Sequence, residues 1–156
     1  MSIKLAIITC SSSRSLAEDT AGAALSERIA AAGWQLLRHV VVADRLEDIA
    51  TAIVDAADQG TDIILTCGGT GLSPSDVTPE ATAAVCERNV GGIAEAMRAE
   101  SLKITGRAML SRAVAMQRGR VLVINLPGSE KAALECFTAV ADQLEHAVQM
   151  SAGGGH

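Results

Sequence analysis

Residues 62–80 read DIILTCGGTGLSPSDVTPE, a short apolar run followed by a glycine-rich loop and the start of a helix. Residues 62–66 are mostly branched and apolar, which predicts a strand that is covered by helices on both sides. Thr78, Pro79 and Glu80 predict the helix start, because a capping hydroxyl, a proline at the first helical position and an early acid all suit that end. The helix is expected to run to about Arg88, and the loop then lies at the carboxyl end of a strand.

The residues before this segment show the same alternation of strand and helix twice. Strands are predicted at residues 3–9 and 34–42, where apolar runs are followed by polar loops. A helix follows each strand and ends at a glycine, with predicted limits of Asp19 or Thr20 to Gly33, and of Asp44 to Gly60. This alternation is typical of a mainly parallel sheet.

The residues after the segment predict one more helix, a hairpin and a long final helix. The first helix follows the Gly91-Gly92 pair, and strands at residues 112–116 and 121–125 flank a turn and predict an antiparallel pair. The final helix has apolar residues at helical spacing: Leu134, Phe137, Ala141, Leu144 and Val148. The predicted fold class is α/β, a three-layer α/β/α sandwich whose mostly parallel sheet carries an antiparallel hairpin strand. Residues 1–150 form one predicted domain and residues 151–156 a flexible tail.

The composition favours one packed core and argues against a nucleic-acid partner. The chain has 156 residues and 49% of them are apolar, which suits a single domain. Its net charge is −5, and no run of Lys or Arg could neutralise neighbouring phosphates of a polymer. Trp34 and Phe137 are the only aromatic residues, so the stacking surfaces of single-strand binders are missing.

The cysteines and the N-terminus predict a location in the cytoplasm. Cys10, Cys67, Cys86 and Cys136 are dispersed, with no C-x-x-C pair and no histidine at zinc-ligand spacing, so we predict buried thiols. The apolar run near the N-terminus is too short for a transmembrane span and lacks the layout of a signal peptide. We therefore expect a cytoplasmic protein with no membrane partner.

The glycine-rich loop has the features of a phosphate site. Glycines lack a Cβ atom, so backbone N–H groups can approach phosphate oxygens, and the helix that begins near Thr78 adds free N–H groups and a positive dipole end. The predicted binding residues of the loop are Gly68, Gly69, Thr70, Gly71, Ser73, Ser75 and Thr78. The GGTG run alone is equally compatible with a tight connection between strand and helix. Neither a Walker loop nor a dinucleotide G-x-G-x-x-G pattern occurs in the chain.

Two acids predict a magnesium ion at this site. Asp76 would repel a phosphate bound by the loop unless a divalent cation stood between them, and Asp44, just past another strand, can supply a second carboxylate. Each acid has a structural alternative, since Asp44 can be an N-cap and Asp76 can close an Asx turn.

A further turn follows the last predicted strand and leads into the final helix. In the sequence Asn125-Leu126-Pro127-Gly128-Ser129, Gly128 frees the backbone and Ser129 can cap the helix, although a plain proline turn is an equal alternative. Arg14 in the Ser11-Ser12-Ser13-Arg14 loop can reach a phosphate or remain exposed. The histidines His39, His146 and His156 receive no catalytic role.

The loop sequences together resemble the molybdenum cofactor biosynthesis proteins of the Mog/MoaB type and the molybdopterin-binding domain of gephyrin-like proteins. The resemblance rests on LTCGGTGLSPSDVTPEA at 65–81, AMLSR at 108–112 and NLPGS at 125–129, and it covers residues 3–150. The family often has Ser-Asp where this chain has Ser11-Ser12, and Thr or Ser where it has Cys67.

The resemblance implies a role for each matching position. The loop from Gly68 to Ser75 would hold the pterin phosphate, Asp76 would be a catalytic, magnesium-associated acid, and Asp44 its partner. Asn125, Pro127, Gly128 and Ser129 would shape the pocket, while Asp19 and Gly22 match an acid and a glycine of the family. The resemblance also implies a homo-oligomer, either a trimer or a hexamer.

The implied activity is that of a molybdopterin adenylyltransferase, with ATP as co-substrate and Mg²⁺ as cofactor. The terminal phosphate of molybdopterin would attack the α-phosphate of ATP and release pyrophosphate, with no covalent enzyme intermediate. A non-catalytic molybdopterin-binding module or carrier subunit is the main alternative. A purely structural oligomer leaves the polar loops at the strand ends without a purpose.

Overall fold

The computed structural model describes residues 2–154, and these form one sheet between two layers of helices. The strands are β1 (Lys4–Cys10), β2 (Gln35–Val42), β3 (Ile63–Cys67), β4 (Arg88–Asn89), β5 (Ala115–Arg118) and β6 (Val121–Leu126). The helices are α1 (Thr20–Ala31), α2 (Leu46–Asp58), α3 (Thr78–Val85), α4 (Gly91–Leu102), α5 (Glu130–Val140) and α6 (Leu144–Ser151). Short 3₁₀ turns occupy Leu16–Glu18, Gly106–Leu110 and Ala141–Gln143.

The sheet has the strand order β2-β1-β3-β6-β5-β4 and is parallel from β2 to β6. Strands β5 and β6 form the predicted antiparallel hairpin, and β4 pairs antiparallel with β5. The three-layer architecture is therefore confirmed. The order also places β1 between β2 and β3. The chain therefore runs from β1 to one side of the sheet, at β2, and then returns past β1 to β3 on the other side, and open α/β sheets usually bind ligands at such a reversal.

Side chains of the parallel strands alternate between two hydrophobic clusters, as the pleat of a strand requires. Leu5 and Ile7 of β1 pack with α1, α4 and α5, while Ala6 and Ile8 pack with α2 and α3. The central strands β1, β3 and β6 are buried on both faces, which explains why their sequences are almost continuously apolar, whereas the edge strand β2 is only partly buried. The rigid centre of the sheet thus supports the loops at its edges.

Several predicted boundaries are wrong, and tertiary contacts account for the differences. Helix α3 ends at Val85 instead of Arg88, because Arg88 joins β4 and pairs with Gln117 of β5. The hairpin strand covers Ala115–Arg118, later than the predicted residues 112–116. The final helix is two helices separated by the 3₁₀ turn Ala141–Gln143.

The terminal and cysteine predictions have mixed outcomes. Helix α6 extends to Ser151, and the amide of Gly154 donates to the Gln149 carbonyl, so the first part of the predicted tail is held to that helix. The last two residues of the tail lie outside the described residues. Three thiols are buried as predicted, whereas Cys86 is only half-buried. Within residues 2–154, no helix has the length and apolar character that a bilayer span requires.

Candidate functional site

Loops from four parallel strands meet at the carboxyl edge of the sheet. The backbone N–H of Ser12, after β1, donates to Asp44, after β2. Gly68, after β3, packs against the carbonyl of Cys10, and Gly128, after β6, packs against Gly68. Arg14 donates to the Gly128 carbonyl over 3.3 Å, so it links the first and last loops. The predicted site residues therefore lie at one edge of the sheet, in loops, at the end of β6 or, for Thr78, at the first position of α3.

The glycine turn after β3 has the conformation that its residues predict. Gly68 and Gly69 have φ angles of +96° and +70°, in the left-handed region that side chains disfavour. A Cβ atom on Gly68 would lie 2.7 Å from the Cys10 carbonyl oxygen, and one on Gly69 would overlap the Thr78 hydroxyl. The turn is therefore both left-handed and sterically closed to any residue larger than glycine.

Thr78 is the first residue of α3, so the prediction that it caps this helix is wrong. The N-cap is Val77, whose side chain makes no capping bond. Thr78 is fully buried, and within the described residues its hydroxyl has no oxygen or nitrogen partner; the thiol of Cys10, a weak hydrogen-bonding group, lies beside it. Unpaired buried hydroxyls are costly and uncommon, so this donor beside the glycine turn points to a ligand contact. The backbone there offers little more, because Thr78 N donates to the Gly69 carbonyl and Pro79 has no N–H, so the hydroxyl of Thr78 is the notable free donor at the start of α3.

Asp76 closes the loop on itself. Its Oδ2 accepts a 3.1 Å hydrogen bond from Ser73 N, and the amide of Asp76 donates back to the Ser73 carbonyl. A Cβ atom on Gly71 would lie 2.8 Å from the same Oδ2, which explains the glycine there. This closure runs toward the preceding residues and not into the helix, so it differs from the Asx turn considered above. Ser73 and Ser75 are exposed and their hydroxyls lie 3.0 Å apart.

Asp44 is held by the loop after β1 and does not cap α2. Its Oδ2 accepts from Ser12 N over 3.1 Å, and its own N–H donates to Ser12 Oγ over 3.0 Å. The N-cap of α2 is Arg45, so the prediction of an Asp44 cap is wrong. The side chain of Ser12 therefore has a role, because its Oγ accepts from Asp44 N without placing a second negative charge beside the Asp44 carboxylate, as an acid at this position would.

The turn at residues 125–129 begins at the buried Asn125 and ends at the exposed Ser129. The amide of Asn125 is fully buried and donates to the hydroxyls of Thr66 and Thr82, and its Oδ1 accepts from Val114 N. These bonds occupy the side chain of Asn125, so it anchors the start of the turn within the protein. Ser129 caps α5 as predicted, since its hydroxyl accepts from Ala132 N.

Sequence reasoning missed a buried polar network beside the first loop. Asp19 is 1% exposed, caps α1 through Gly22 N, and accepts hydrogen bonds from Thr9 and from His39, whose Nε2 lies 2.7 Å away. Burial alone would raise the pKa of Asp19, but the bonds from Thr9, Gly22 and His39 hold it below its ordinary value. Gly22 leaves room for this contact, because a Cβ atom there would overlap both Asp19 and His39. The network anchors the start of α1 under the site.

A cavity of about 280 Å³ opens next to the glycine turn. Its walls come from Thr70 and Gly71, from Pro127, and from α4, α5 and the Gly106–Leu110 turn. A mostly apolar pocket with a few polar groups is the usual form of a small-molecule site. A larger groove of about 670 Å³ lies between α4, β5 and α6 and contains none of the predicted site residues.

Each of the two acids at this edge keeps one carboxylate oxygen that could bind a magnesium ion. Asp44 and Asp76 each use one carboxylate oxygen for a backbone N–H, and no hydrogen bond occupies the other oxygen within residues 2–154. Magnesium commonly uses one or two carboxylates together with phosphate oxygens and water. The described chain has no group of three or more His, Cys, Asp or Glu side chains placed to hold a metal.

Known proteins are similar to this chain over most of its length. The family model described as the probable molybdopterin binding domain matches residues 6–146. A molybdopterin adenylyltransferase of Helicobacter pylori is 36% identical over 90% of this chain and 82% of its own length. The molybdopterin biosynthesis enzyme MoaB of Thermus thermophilus is 41% identical, with a TM-score of 0.88 over 97% of both chains. The molybdopterin biosynthesis Mog protein of Mycobacterium ulcerans is 33% identical, with a TM-score of 0.89 over 96% of this chain and 99% of its own. The chain therefore belongs to the molybdopterin-binding-domain family of molybdenum cofactor biosynthesis, whose curated relatives include molybdopterin adenylyltransferases.

Proposed function

We propose that this chain transfers the adenylyl group of ATP to the terminal phosphate of molybdopterin and releases pyrophosphate. The observation that carries the proposal is the pairing of an anion cradle with an acid in one short loop. The left-handed Gly68-Gly69 turn faces the unpaired hydroxyl of Thr78, and Asp76 follows in the same loop.

The glycine turn and the start of α3 supply the phosphate contacts. Backbone N–H groups at Gly69, Thr70 and Gly71 can approach an oxygen closely, and the Thr78 hydroxyl adds a donor that has no oxygen or nitrogen partner within the described residues. The dipole of α3 favours negative charge at the same point. Ser73 and Ser75 are exposed at the rim and can contact the outer phosphates.

Asp44 and Asp76 would hold the magnesium ion through their unused oxygens. When bound, this ion would neutralise charge on the phosphates and polarise the bond to the leaving group. Strands β2 and β3 flank β1, so the bases of the two acidic loops are about 10 Å apart at the usual strand spacing. Phosphate oxygens and water would supply the remaining ligands of the ion.

The chemistry needs alignment more than proton transfer. A phosphate oxygen of molybdopterin forms a bond to the α-phosphorus of ATP, while the bond from that phosphorus to the bridging oxygen breaks and pyrophosphate leaves. The attacking oxygen is already anionic, so no general base is required. The loop residues therefore contribute by fixing the two phosphates in line and by offsetting their charge.

The direct test is product formation with purified components. Protein incubated with molybdopterin, ATP and Mg²⁺ should release pyrophosphate and adenylylated pterin in equal amounts, and chelation of the metal should stop both. Tight molybdopterin binding with no pyrophosphate would instead establish the alternative, a binding module or carrier subunit.

We further propose that the pterin ring occupies the cavity of about 280 Å³ next to Gly71 and Pro127. Ala132→Phe is expected to fill this cavity and weaken molybdopterin binding by about tenfold or more, while ATP binding changes little, since one ring-sized loss of contact is worth a few kcal/mol. Titration of each ligand separately measures this. Ala139→Phe lies on the same helix but faces the larger groove, so it is the matched control. Equal loss in both variants would contradict the location.

The assembly and location of the protein also remain proposals. We propose a homo-oligomer, a trimer or a hexamer, in the cytoplasm, with molybdopterin and ATP as small-molecule partners. Sedimentation equilibrium at several protein concentrations gives the number of copies.

A further inference from the structure

Arg112, the last residue of the AMLSR segment, makes several hydrogen bonds to the loop that carries Asp76. Its Nε donates to the Gly71 carbonyl over 2.7 Å, and one terminal nitrogen donates to the Asp76 carbonyl, also over 2.7 Å. The guanidinium also pairs with both oxygens of Glu80 in α3, at 2.6 and 3.2 Å. A single side chain thus holds both ends of the turn from Gly71 to Asp76.

The backbone that carries Arg112 is itself fixed. The amide of Arg112 donates to the Thr70 carbonyl over 2.8 Å, which joins it to the glycine turn. From the other side, Arg98 of α4 donates to the carbonyls of Ser111 and Ala113. The guanidinium therefore reaches the loop from a rigid support, which is what precise placement of a neighbouring group requires.

The contacts of Arg112 bear directly on where the Asp76 carboxylate lies. Gly71 packs on Asp76 Oδ2, and Ser73 N donates to the same oxygen, so the carboxylate depends on the closed form of this turn. Arg112 holds that form by clamping its first and last carbonyls. Glu80 fixes the guanidinium in turn, and the hydrogen bond from Arg112 lowers the pKa of Glu80.

We propose that Arg112 is a positioning residue for adenylyl transfer, which acts by holding the Asp76 carboxylate toward the reacting phosphates. This inference rests on the proposed function, because it gives Asp76 its catalytic role. The guanidinium of Arg112 donates hydrogen bonds to two carbonyls and one carboxylate of the protein. It therefore holds the loop and does not bind substrate through its charge. Its side chain is 35% exposed, so water screens its ion pair with Glu80 and that pair adds little stability. The contribution of Arg112 is therefore mainly to the local geometry of the loop.

The shape of the side chain separates this role from a simple electrostatic one. A guanidinium is a planar fork that can bond two carbonyls and a carboxylate at once, whereas the ammonium of lysine is a point charge. Arg112→Lys should therefore be as damaging as Arg112→Ala, with kcat lower by about 100-fold and the KM for ATP within about threefold of wild type. Recovery of activity to within about threefold of wild type in Arg112→Lys would overturn the proposal, since charge alone would then suffice.

A double-mutant cycle tests whether Arg112 acts through Asp76. Introduced into Asp76→Asn, the Arg112→Lys change should cost less than about threefold, because the group that it positions is already gone. Multiplicative losses would show independent roles and overturn the proposal. Arg118→Lys is the matched control, since Arg118 lies on β5 and donates to the Val85 carbonyl at the other end of α3. It should leave kcat unchanged.

Hydrogen exchange gives a readout that does not depend on turnover. The amides of Ser73 and Asp76 are bonded within the clamped turn, so their exchange should be at least about tenfold faster in Arg112→Lys, and unaltered in Arg118→Lys. Unchanged exchange in Arg112→Lys would overturn the proposal. If the wild type forms no adenylylated product, the proposed function fails, and faster exchange would then leave Arg112 as a residue that shapes a binding loop only.

Discussion

Asp76→Asn is expected to reduce adenylylation of molybdopterin by about 100-fold or more, because the substitution removes the negative charge that would hold Mg²⁺, and the bound ion is what offsets the charge of the phosphates. Asparagine keeps the shape of the side chain and can still accept the hydrogen bond from Ser73 N, so the loop should stay closed. Initial rates over a range of Mg²⁺ concentrations measure the effect. The concentration of Mg²⁺ that gives half the maximal rate should rise in the variant.

The control for Asp76→Asn is the same substitution at the opposite end of β3. Asp62 accepts a hydrogen bond from Lys4 N at the amino edge of the sheet, far from the loops that form the site. Asp62→Asn should leave both the rate and the Mg²⁺ dependence unchanged. Equal rates for wild type and Asp76→Asn would contradict the role of Asp76.

Gly69→Ala is expected to lower both the stability of the fold and the affinity for phosphate. The left-handed backbone at φ +70° costs an alanine about 1–2 kcal/mol, and the new methyl group would overlap the Thr78 hydroxyl. Relief of that overlap must move the glycine turn or the first residue of α3, and both belong to the proposed phosphate cradle. We expect a total loss of about 2–4 kcal/mol in the free energy of unfolding.

Chemical denaturation and pyrophosphate binding together measure the effect of Gly69→Ala. Gly92→Ala is the control, since Gly92 lies in the first turn of α4 with open space around its Cα. That variant should be as stable as wild type or slightly more stable, because alanine restricts the unfolded chain. A Gly69→Ala protein of wild-type stability and affinity would mean that the turn is not the phosphate site.

Local sequence signals correctly predicted the elements whose ends are marked by a glycine or by an N-capping residue. Gly33 and Gly60 follow α1 and α2 closely and have positive φ angles, and Asp19 caps α1 as expected. The same signals were less successful where an element depends on a distant partner. Arg88 was predicted in α3 but lies in β4, because it pairs with β5. The 3₁₀ turn Ala141–Gln143 interrupts what the spacing predicted as one continuous helix. Propensity and spacing contain no information about such partners.

The residues of the candidate site likewise fall into those that the sequence predicted and those that it did not. Residue types alone indicated the glycine turn, Asp76, Asp44 and the turn at residues 125–129, and the sheet brings all of these loops to one edge. The role of Ser12 as partner of Asp44 could not be predicted, because these residues are 32 positions apart in the chain. The only sequence signal for Arg112 was its place in a resembling motif.

The order of strands and helices, the left-handed glycine turn and the acids beside it were determined by the sequence, since each depends on residue types within a few positions of one another. The tertiary structure decided that the Thr78 hydroxyl lies buried without an oxygen or nitrogen partner among the described residues, that Asn125 is an anchor of the turn, and that Arg112 reaches 41 positions back to clamp Gly71. These contacts arise only when β6 pairs with β3 and the segment before β5 lies against the loop after β3. The physical reason is that a hydrogen bond across the sheet depends on which strands become neighbours, and that choice is made by the packing of the whole core.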